Sequence, residues 1–402
     1  MKTVLFLGAG RHQRAAIRRA KELGLRVAAI DGNPDAVAFP DADIAEAVNF
    51  VEIPAAIAFA RKIEPDGVLT ITSDRAVVAV ASVAEALGLP GIGADVAMGL
   101  TNKIVMRQRL DEAGIPQPRF AGARDLDEAR AAVEHVGFPL VIKPADSGGQ
   151  RGVFRLDSVE QLDELFPQSL ELSRTGEVIV EEFVEGTEMN AMAVVRDGVV
   201  THLTLSDRHR PPGPGFAVGW IHAYPAALGS EGTAEAERLV EQTTDALGLR
   251  SGIVFPQLIA HPDGRILMIE VAARIPGGQM ADLVWHAVGV DLVEVALRFA
   301  LGDEITDELC VPKFRQPVAI RFFTAQPGPL PVGKVKEPAS LERVLAAPGV
   351  VAADSYLVPG ETIRPVQRDG DRRGYVIAVG DTGPEAFERS EQAAALVDVE
   401  VE

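Results

Sequence analysis

The chain has 402 residues, of which 47% are hydrophobic and 24% are charged, so it is long enough to form two or three domains with substantial cores. Its net charge of −19 argues against nucleic acid and against an anionic membrane surface as partners. The one cysteine, Cys310, excludes an internal disulfide framework and a multi-cysteine metal site, and we expect it to fill apolar space in a core.

The chain carries no pattern that is typical of a targeting or membrane-spanning segment. The opening MKTVLFLGAG is too short an apolar run for a signal peptide, and Arg11 interrupts it. No stretch approaches the roughly 20 uninterrupted apolar residues that a membrane span requires. We therefore expect a protein that does not span a membrane and that resides in the cytoplasm.

Strand and helix patterns alternate from residue 1 to about residue 95. The apolar runs Thr3–Leu7, Arg26–Ile30 and Val68–Ile71 are predicted strands, and Arg11–Leu23 and Ala76–Leu87 are predicted amphipathic helices. Such alternation predicts an α/β domain with a doubly wound parallel sheet.

The first strand-to-helix turn of this region contains two glycines, and Asp31 ends the second predicted strand about 20 residues later. This spacing imitates a dinucleotide-binding fingerprint, so an NAD-dependent oxidoreductase is an alternative hypothesis. Gln13 stands at the third glycine position, however, and without that glycine the motif is weak. Ligands of open α/β sheets collect at the carboxyl ends of strands, although ordinary turns explain the glycines and Asp31 equally well. The candidate substrate contacts at these ends are Gly8, Gly10, Ser73 and Asp74.

Residues 102–190 have the pattern of a small α/β lobe. The predicted elements are a helix from Asn102 to about Ala113, a helix Leu126–Val136, a strand Leu140–Lys143, a helix Asp157–Leu170 and a strand Glu177–Phe183. A glycine-rich loop, Asp146–Val153, follows the first strand directly. Backbone amides of such a loop fold over phosphates, and Lys143 at the strand end would supply positive charge.

A second pair of strands is expected within Ala191–Leu205, around a turn at Asp197-Gly198. The following segment, Ser206–Gly215, is predicted to be a loop that lies over the site. His209 is a candidate proton acceptor for an incoming amine, and the alternative is a surface histidine without a catalytic role. Arg208 and Arg210 are the stronger candidates for contact with an anion.

A hairpin follows, with predicted strands Ile253–Ala260 and Ile266–Ala272. Gln257 and Glu270 can project from one face of such a hairpin, and a carboxylate beside an amide oxygen suits Mg²⁺. Arg274 and the Gly277-Gly278 pair come next and are candidate anion contacts. The alternative is an ordinary hairpin whose Glu and Arg face water.

The remaining predicted elements belong to the large lobe and to a smaller α+β unit. They are helices Thr233–Leu247, Met280–Val288 and Leu292–Leu301, then strands Val318–Thr324, Gly333–Lys336 and Tyr375–Val379 and a helix Pro384–Ala395.

Three blocks in this order, Val141–Val153, Glu177–Glu188 and Gly252–Gly278, resemble the ATP-grasp superfamily of carboxylate–amine ligases, which includes L-amino acid ligases, D-alanine–D-alanine ligase and biotin carboxylase. The resemblance implies an N-terminal Rossmann-like domain over residues 1–101. It also implies a small lobe with its linker helix over 102–190 and a large lobe over 191–310. A closing domain would follow over 311–402. ATP and Mg²⁺, or Mn²⁺ in its place, would be the cofactors.

The resemblance also assigns roles to residues. Lys143 and Arg274 would act in catalysis, and Gln257 and Glu270 would bind the metal. Glu181 and the backbone of Glu182 and Val184 would contact adenine, and Glu188 the ribose hydroxyls. The nucleotide-binding residues implied are Lys103, Lys143, Ser147, Gly148, Gly149, Gly152, Glu181, Glu182, Val184 and Glu188.

Two positions depart from the family pattern. Ala272 stands where an asparagine metal ligand is usual, and Gln257 stands where many members have glutamate. Binding of Mg²⁺ should then depend more on phosphates and water. The predicted reaction joins a small carboxylate to an amine (or a thiol) through an acyl phosphate, with small molecules as the partners and a homodimer as one option for assembly. The alternatives are a carboxylating or formyl-transferring enzyme of nucleotide metabolism, the oxidoreductase, and a non-catalytic nucleotide-binding subunit.

Overall fold

The fold is given by a computed structural model that describes residues 1–212 and 218–402. Three residues of the predicted loop over the site, Gly213, Pro214 and Gly215, lie outside the described residues. In the part of the chain that the structure describes, no helix is both long enough and apolar enough to cross a membrane.

A parallel four-stranded sheet forms the N-terminal region, with strand order β3-β2-β1-β4. Successive residues of a strand point to opposite faces, and those of the first strand contact helices on both sides of the sheet. The predicted doubly wound parallel sheet is confirmed. Its elements are β1 (Thr3–Leu7), α1 (Arg14–Glu22), β2 (Arg26–Asp31), β3 (Ile44–Ala47), α2 (Ile53–Ile63), β4 (Gly67–Leu69) and α3 (Asp74–Leu87).

Two helices connect this region to the small lobe. The second begins where predicted, because the Asn102 side chain accepts hydrogen bonds from the amides of Ile104 and Val105 at 3.0 and 3.2 Å. The small lobe is an antiparallel sheet of order β5-β8-β6-β7 covered by two helices. These elements are α4 (Ala94–Gly99), α5 (Lys103–Glu112), β5 (Phe120–Ala123), α6 (Leu126–Val136), β6 (Leu140–Pro144), β7 (Phe154–Leu156), α7 (Val159–Glu171) and β8 (Val178–Glu182).

The large lobe is built on long antiparallel strands. Its first two strands are longer than the sequence predicts, because the second continues to His209 and pairs with a third strand beyond the turn. The elements are β9 (Thr187–Arg196), β10 (Val199–His209), β11 (Ile221–Tyr224), α8 (Ser230–Ala246), β12 (Gly252–Ala260), β13 (Ile266–Ala272), α9 (Met280–Val288), α10 (Leu292–Leu301) and α11 (Asp307–Cys310).

The last region shares the sheet of the large lobe. Strand β11 pairs with the first strand after residue 310, so that one eight-stranded sheet runs in the order β13-β12-β9-β10-β11-β14-β18-β16. The closing region therefore extends the sheet of the large lobe by three strands, and it also contains a separate sheet of two short strands, in which Gly333 and Lys334 pair with Ile363 and Thr362. Its elements are β14 (Val318–Phe322), β15 (Gly333–Lys334), α12 (Glu342–Leu345), β16 (Val350–Ser355), β17 (Thr362–Ile363), β18 (Gly374–Val379) and α13 (Gly383–Ala394).

The predicted loop that begins at Ser206 is wrong over its first four residues. Asp207, Arg208 and His209 pair with Ala223, His222 and Ile221 of β11, and this ladder continues the strand. The polar side chains suggested a loop, but the strand alternates between the cavity and the far face, so its polar residues are accommodated on both sides.

The core region that joins the N-terminal sheet to the large lobe contains Cys310. Its side chain is fully buried among apolar residues, and its Sγ contacts the carbonyl oxygen of Thr306 at 3.5 Å. Cys310 is an apolar filler, as the sequence predicts.

Candidate active site

A cavity of about 390 Å³ lies where the N-terminal region, the small lobe and the large lobe meet. Most of the predicted site residues contribute to its wall, although they come from distant parts of the chain. Those that line it are Asp74, Lys103, Lys143, Ser147, Gly148, Gly149, Glu181, Glu182, Val184, Glu188, Arg208, Gln257, Glu270, Arg274, Gly277 and Gly278.

Lys143 lies in a buried network of three charged side chains. Its Nζ is 2.5 Å from the Glu181 carboxylate, and Arg107 donates from Nε to the other oxygen of the same carboxylate at 2.8 Å. Burial acts to raise the pKa of Glu181, but Arg107 and Lys143 outweigh it and lower that pKa to about 2. Glu181 is therefore ionised at neutral pH, and each of its carboxylate oxygens is already engaged in an ion pair.

Arg107 fixes this network to the hairpin. The side chain is fully buried, and its two terminal nitrogens donate to the carbonyl oxygens of Met268 and Ile269 at 2.8 and 2.7 Å. A buried charge needs such partners, because an unpaired one is expensive to remove from water. The position of Lys143 beside the glycine loop thus depends on a residue of α5 and on strand β13.

Lys103 links the glycine loop to the predicted metal residue. Its Nζ donates to the carbonyl oxygen of Ser147 at 2.7 Å and lies 3.4 Å from the Glu270 carboxylate. The lysine side chain is 8% exposed and that of Glu270 is 35% exposed. Burial acts to raise the pKa of Glu270, but Lys103, Lys143 and Arg274 outweigh it and hold that pKa below its usual range. The carboxylate is thus charged and open to the cavity.

The hairpin brings Gln257 and Glu270 directly opposite each other across β12 and β13. Gln257 donates from Nε2 to Asn190 Oδ1 at 3.2 Å, which leaves its amide oxygen as an acceptor. One carboxylate and one amide oxygen fit a Mg²⁺ that takes its other ligands from phosphates and water. Among the described residues, no group of three or more His, Cys, Asp or Glu is placed to hold a metal.

Arg274 leaves the end of the hairpin and pairs with Asp74 of the N-terminal region. Its Nε donates to Asp74 Oδ1 at 2.7 Å, and its Nη2 contacts the same oxygen. The arginine side chain is 10% exposed, and within residues 1–212 and 218–402 its Nη1 has no hydrogen-bond partner. A buried, unpaired donor at the wall of a cavity is a ready contact for an anion.

An apolar wall forms the opposite end of the cavity. Val184, Ile259 and Leu267 pack together there with Ile269. Glu188 stands beside this wall, with its carboxylate in contact with Arg208 and 3.1 Å from Arg210 Nε. An apolar slot next to a carboxylate suits a flat base and the hydroxyl groups that follow it.

His209 on β10 and His222 on β11 differ in their position relative to the cavity. His209 points away from the cavity and packs edge-on against Phe387 with ring centroids 5.1 Å apart, so the predicted proton acceptor is not at the site. His222 lines the cavity, and its Nδ1 lies 3.1 Å from the Asn190 amide nitrogen. Burial, together with Arg208 and Arg372, lowers the pKa of His222 well below its usual value, so the ring is neutral at pH 7.

The first strand-to-helix turn is filled by its own chain. Gln13 Nε2 donates to the carbonyl oxygen of Ile71 at 2.9 Å and to Thr72 Oγ1 at 2.8 Å, and its side chain covers Gly8 and Gly10. Gly8, Gly10 and Ser73 are not among the described residues that line the cavity, although their neighbours His12, Thr72 and Asp74 are. Asp31 stabilises the turn itself, because its carboxylate accepts a hydrogen bond from the Ala9 amide at 2.9 Å.

One residue of the glycine loop also lies away from the cavity wall. Gly152 has a φ of +73°, and a Cβ there would lie 3.0 Å from side-chain atoms of Pro144 and Leu172. The residue is outside the cavity lining as far as the structure describes the chain, so it shapes the turn rather than facing the predicted phosphates.

Sequence reasoning missed Arg107, Asn190 and His222. The signal was present, because Asn190 and His222 are polar residues within buried apolar strands and Arg107 is a charged residue on the buried face of α5. A polar residue in such a position needs a partner, but the sequence does not say which one.

Two family models match the chain. The model described as "Carbamoyl-phosphate synthase L chain, ATP binding domain" matches residues 102–308, and that described as "L-amino acid ligase C-terminal domain 2" matches residues 321–402. The first covers the small and large lobes that enclose the cavity, and the second covers most of the closing region.

Curated relatives align with much of the chain. The uncharacterized protein y4rH of Sinorhizobium fredii is 30% identical over 77% of this chain, which spans 63% of that protein's length. The formate-dependent phosphoribosylglycinamide formyltransferase of Ignicoccus hospitalis is 27% identical over 98% of this chain and 95% of its own length.

The fold is shared with a solved L-amino acid ligase from Bacillus licheniformis. The TM-score is 0.85 at 22% identity, over 100% of this chain and 99% of that protein. This likeness extends the shared architecture to every region, including the N-terminal sheet and the closing region.

Proposed function

The chain belongs to the family of the carbamoyl-phosphate synthase L chain ATP-binding domain and is an ADP-forming ATP-grasp ligase, and we propose that it activates a small carboxylate as an acyl phosphate and joins it to an amine. The observation that carries the proposal is that Arg274, whose Nη1 has no hydrogen-bond partner among the described residues, lines the same cavity as Glu270 and Lys143. A cation beside a metal-binding carboxylate suits the charge that builds on a transferred phosphoryl group.

ATP would lie with its base in the apolar slot and its phosphates under the glycine loop. The backbone of Glu182 and Val184 would contact adenine, and Glu188 would accept hydrogen bonds from the ribose hydroxyls after exchanging its arginine partners. Lys143 and the amides of Gly148 and Gly149 would hold phosphate oxygens. We assign Glu181 a supporting role, because its carboxylate orients Lys143 through their 2.5 Å contact.

The residues present fit a bound Mg²⁺ at Gln257 and Glu270, or Mn²⁺ in its place. When bound, the ion supplies charge neutralisation for the nucleotide phosphates. Lys103 lies 3.4 Å from Glu270 and holds the glycine loop through Ser147, so it would keep this carboxylate and the loop at a fixed separation.

The reaction has two steps. An oxygen of the carboxylate substrate forms a bond to the γ-phosphorus of ATP, while the bond from that phosphorus to the β,γ-bridging oxygen breaks and ADP leaves. The amine nitrogen then forms a bond to the acyl carbon, the bond from that carbon to the phosphate oxygen breaks, and the nitrogen loses a proton. Arg274 would stabilise the negative charge that develops in both steps.

His222 would orient the amine. The ring is neutral and is held by Asn190, so one nitrogen is fixed while the other stays on the side of Gly219 and Gly278. Arg208 would contact an anionic group of a substrate once nucleotide has displaced it from Glu188. We withdraw His209 from this role, because its ring packs against Phe387.

Two substrate classes have support. The match of residues 321–402 to the closing domain of L-amino acid ligases favours two amino acids as substrates. The curated formyltransferase aligns over nearly the whole chain and favours formate with a phosphoribosylated amine as the second candidate. We place amino acids first, because the region that matches the L-amino acid ligase domain contributes Asp369 and Arg372 to the cavity wall.

A substrate panel scored by ADP release tests the proposal. We expect ADP release with Mg·ATP to require both a carboxylate and an amine, and a pair of L-amino acids to be active. Activity with formate and glycinamide ribonucleotide would establish the second candidate, and bicarbonate-dependent turnover would establish a carboxylating enzyme. Tight ATP binding without turnover across the panel would indicate a non-catalytic subunit and contradict the proposal. Cytoplasmic location and a homodimer remain predictions.

A further inference from the structure

The Asp74 carboxylate is a junction between three parts of the chain. Asp74 is the first residue of helix α3 in the N-terminal region. Its Oδ1 accepts a hydrogen bond from Nε of Arg274, a residue of the large lobe, and also contacts Nη2 of that arginine. Its other oxygen, Oδ2, faces Gly148 of the glycine loop so closely that a Cβ on that glycine would lie 2.6 Å away. The same carboxylate thus touches a catalytic arginine and the loop expected to cover ATP.

The backbone around Asp74 is anchored to the exit of the hairpin. The Thr72 amide donates to the carbonyl oxygen of Ile275 at 2.8 Å, and Gln13 holds the Thr72 side chain from below at 2.8 Å. A carboxylate at the first residue of a 14-residue helix is also favoured by the helix dipole. Asp74 is therefore a fixed acceptor, whereas Arg274 has a long and flexible side chain.

Arg274 lines the same cavity as the predicted metal ligand Glu270. Asp74 occupies Nε and Nη2, and the remaining terminal nitrogen, Nη1, has no hydrogen-bond partner among the described residues. An arginine held by one edge in this way presents its other edge to an anion.

We propose that Asp74 is a positioning residue that fixes the orientation of the Arg274 guanidinium and couples it to the position of the glycine loop. The proposal rests on the ligase function given above, and it replaces the predicted contact between Asp74 and substrate. In this structure the backbone at Gly148 already lies beside Oδ2, so packing of the loop onto bound nucleotide would confine the carboxylate, which in turn would confine the guanidinium. A Cβ at position 148 would lie 2.6 Å from Oδ2, so a larger residue there would push the carboxylate aside.

The first test combines Asp74 with Arg274. Asp74→Ala should lower kcat by about a hundredfold, as expected when a reacting group is misplaced by about 1 Å, while the Kd for Mg·AMPPNP changes less than about twofold. Asp74→Asn should retain part of the activity, since its amide oxygen still accepts from Arg274. In an Arg274→Lys background, Asp74→Ala should cost less than about threefold. Losses that multiply would instead show two independent roles and overturn the proposal.

The second test needs no carboxylate or amine substrate. Trypsin cleavage after Arg151 reports whether the loop is closed, and Mg·AMPPNP should protect the wild-type loop. Gly148→Ala should reduce this protection severalfold, and Asp74→Ala in the same chain should restore it, because the atom that the new Cβ meets is removed. Equal loss of protection with and without Asp74 would overturn the coupling.

Two variants serve as matched controls. Gly229→Ala also adds a Cβ at a glycine without positive φ, where nothing lies within 4 Å, and should leave loop protection unchanged. Asp95→Asn weakens a surface aspartate–arginine pair with Arg109 at 2.8 Å and should leave kcat unchanged. If wild-type chain fails to bind Mg·AMPPNP, the ligase proposal fails; if it binds and closes but the double variants behave additively, only the role of Asp74 fails.

Discussion

The turn after β1 and the loop after β6 both contain glycines and follow apolar strands, but their surroundings differ. The turn after β1 holds Gly8 and Gly10 and is closed by the Gln13 side chain, which bonds to residues at the end of β4. The loop after β6 holds Gly148 and Gly149, borders the cavity, and is flanked by Lys103 and Lys143. A glycine turn binds phosphate when the space above it stays open and cations face that space.

The difference originates in the side chains that surround each turn. At the first turn, a glutamine enters the position where a third glycine would let a ligand approach, and its amide satisfies the strand ends instead. At the second, the cations come from α5 and β6, and in this structure their charge is balanced by Glu270 and Glu181. Substitutions around the open loop should therefore affect catalysis or ligand affinity, whereas substitutions at the closed turn should affect stability alone.

The largest effect is expected at the hairpin that faces the open loop. Glu270→Gln keeps the shape of the side chain but removes its charge, so turnover should fall by about a hundredfold or more while ATP still binds. Added Mg²⁺ should recover part of the rate. ADP release across a Mg²⁺ titration measures this.

The matched control is Glu46→Gln, which breaks another glutamate–lysine pair, with Lys62 at 2.9 Å, in the N-terminal region. It should leave turnover unchanged. Superimposed Mg²⁺ titrations of wild type and Glu270→Gln would remove Glu270 as the metal ligand.

The next effect concerns the cation beside the loop. Lys143→Met keeps the apolar stem and removes the charge, so ATP affinity should weaken by about tenfold or more, or about 1.4 kcal/mol. Calorimetry with Mg·AMPPNP measures this, and Lys62→Met is the control because that lysine is 67% exposed and distant from the cavity. Unchanged affinity in Lys143→Met would place the phosphates elsewhere.

Limited proteolysis compares the two turns in one experiment. Trypsin should cut the free protein after Arg151 in the open loop, and Mg·AMPPNP should slow that cut severalfold. Cleavage after Arg11, at the closed turn, should be slow with and without nucleotide, because this turn is already packed. Nucleotide protection at Arg11 but not at Arg151 would reverse the assignment of the two turns.

The smallest effect on ligand binding is expected at the closed turn. Gln13→Ala leaves the Ile71 carbonyl and the Thr72 hydroxyl without their partner, so the free energy of unfolding should fall by about 1–3 kcal/mol. Affinity for Mg·AMPPNP should stay the same, as it should in the exposed control Gln168→Ala. Denaturant unfolding and calorimetry measure the two quantities, and weaker nucleotide binding in Gln13→Ala would show that the closed turn takes part in the site.

Local patterns in the sequence were enough to predict the superfamily and many of the elements, although β3, α2, β11 and β16 were not predicted. Apolar periodicity predicted α6, α9 and α10 at their observed bounds. The glycine loop and the hairpin could be predicted because each is formed by residues close together in the sequence. The pairing of Gln257 with Glu270 could also be predicted, since a short turn fixes which residues of a hairpin lie opposite each other.

Which charges meet depended on the tertiary structure alone. Arg107 and Glu181 are 74 residues apart, and Asp74 and Arg274 are 200 residues apart, so no local pattern connects them. The sequence also misjudged residues 206–209, because polar side chains on a strand at the edge of a cavity look like a loop. Which of the two glycine turns stays open likewise depended on where one buried glutamine points, and side-chain packing between distant segments determines that direction.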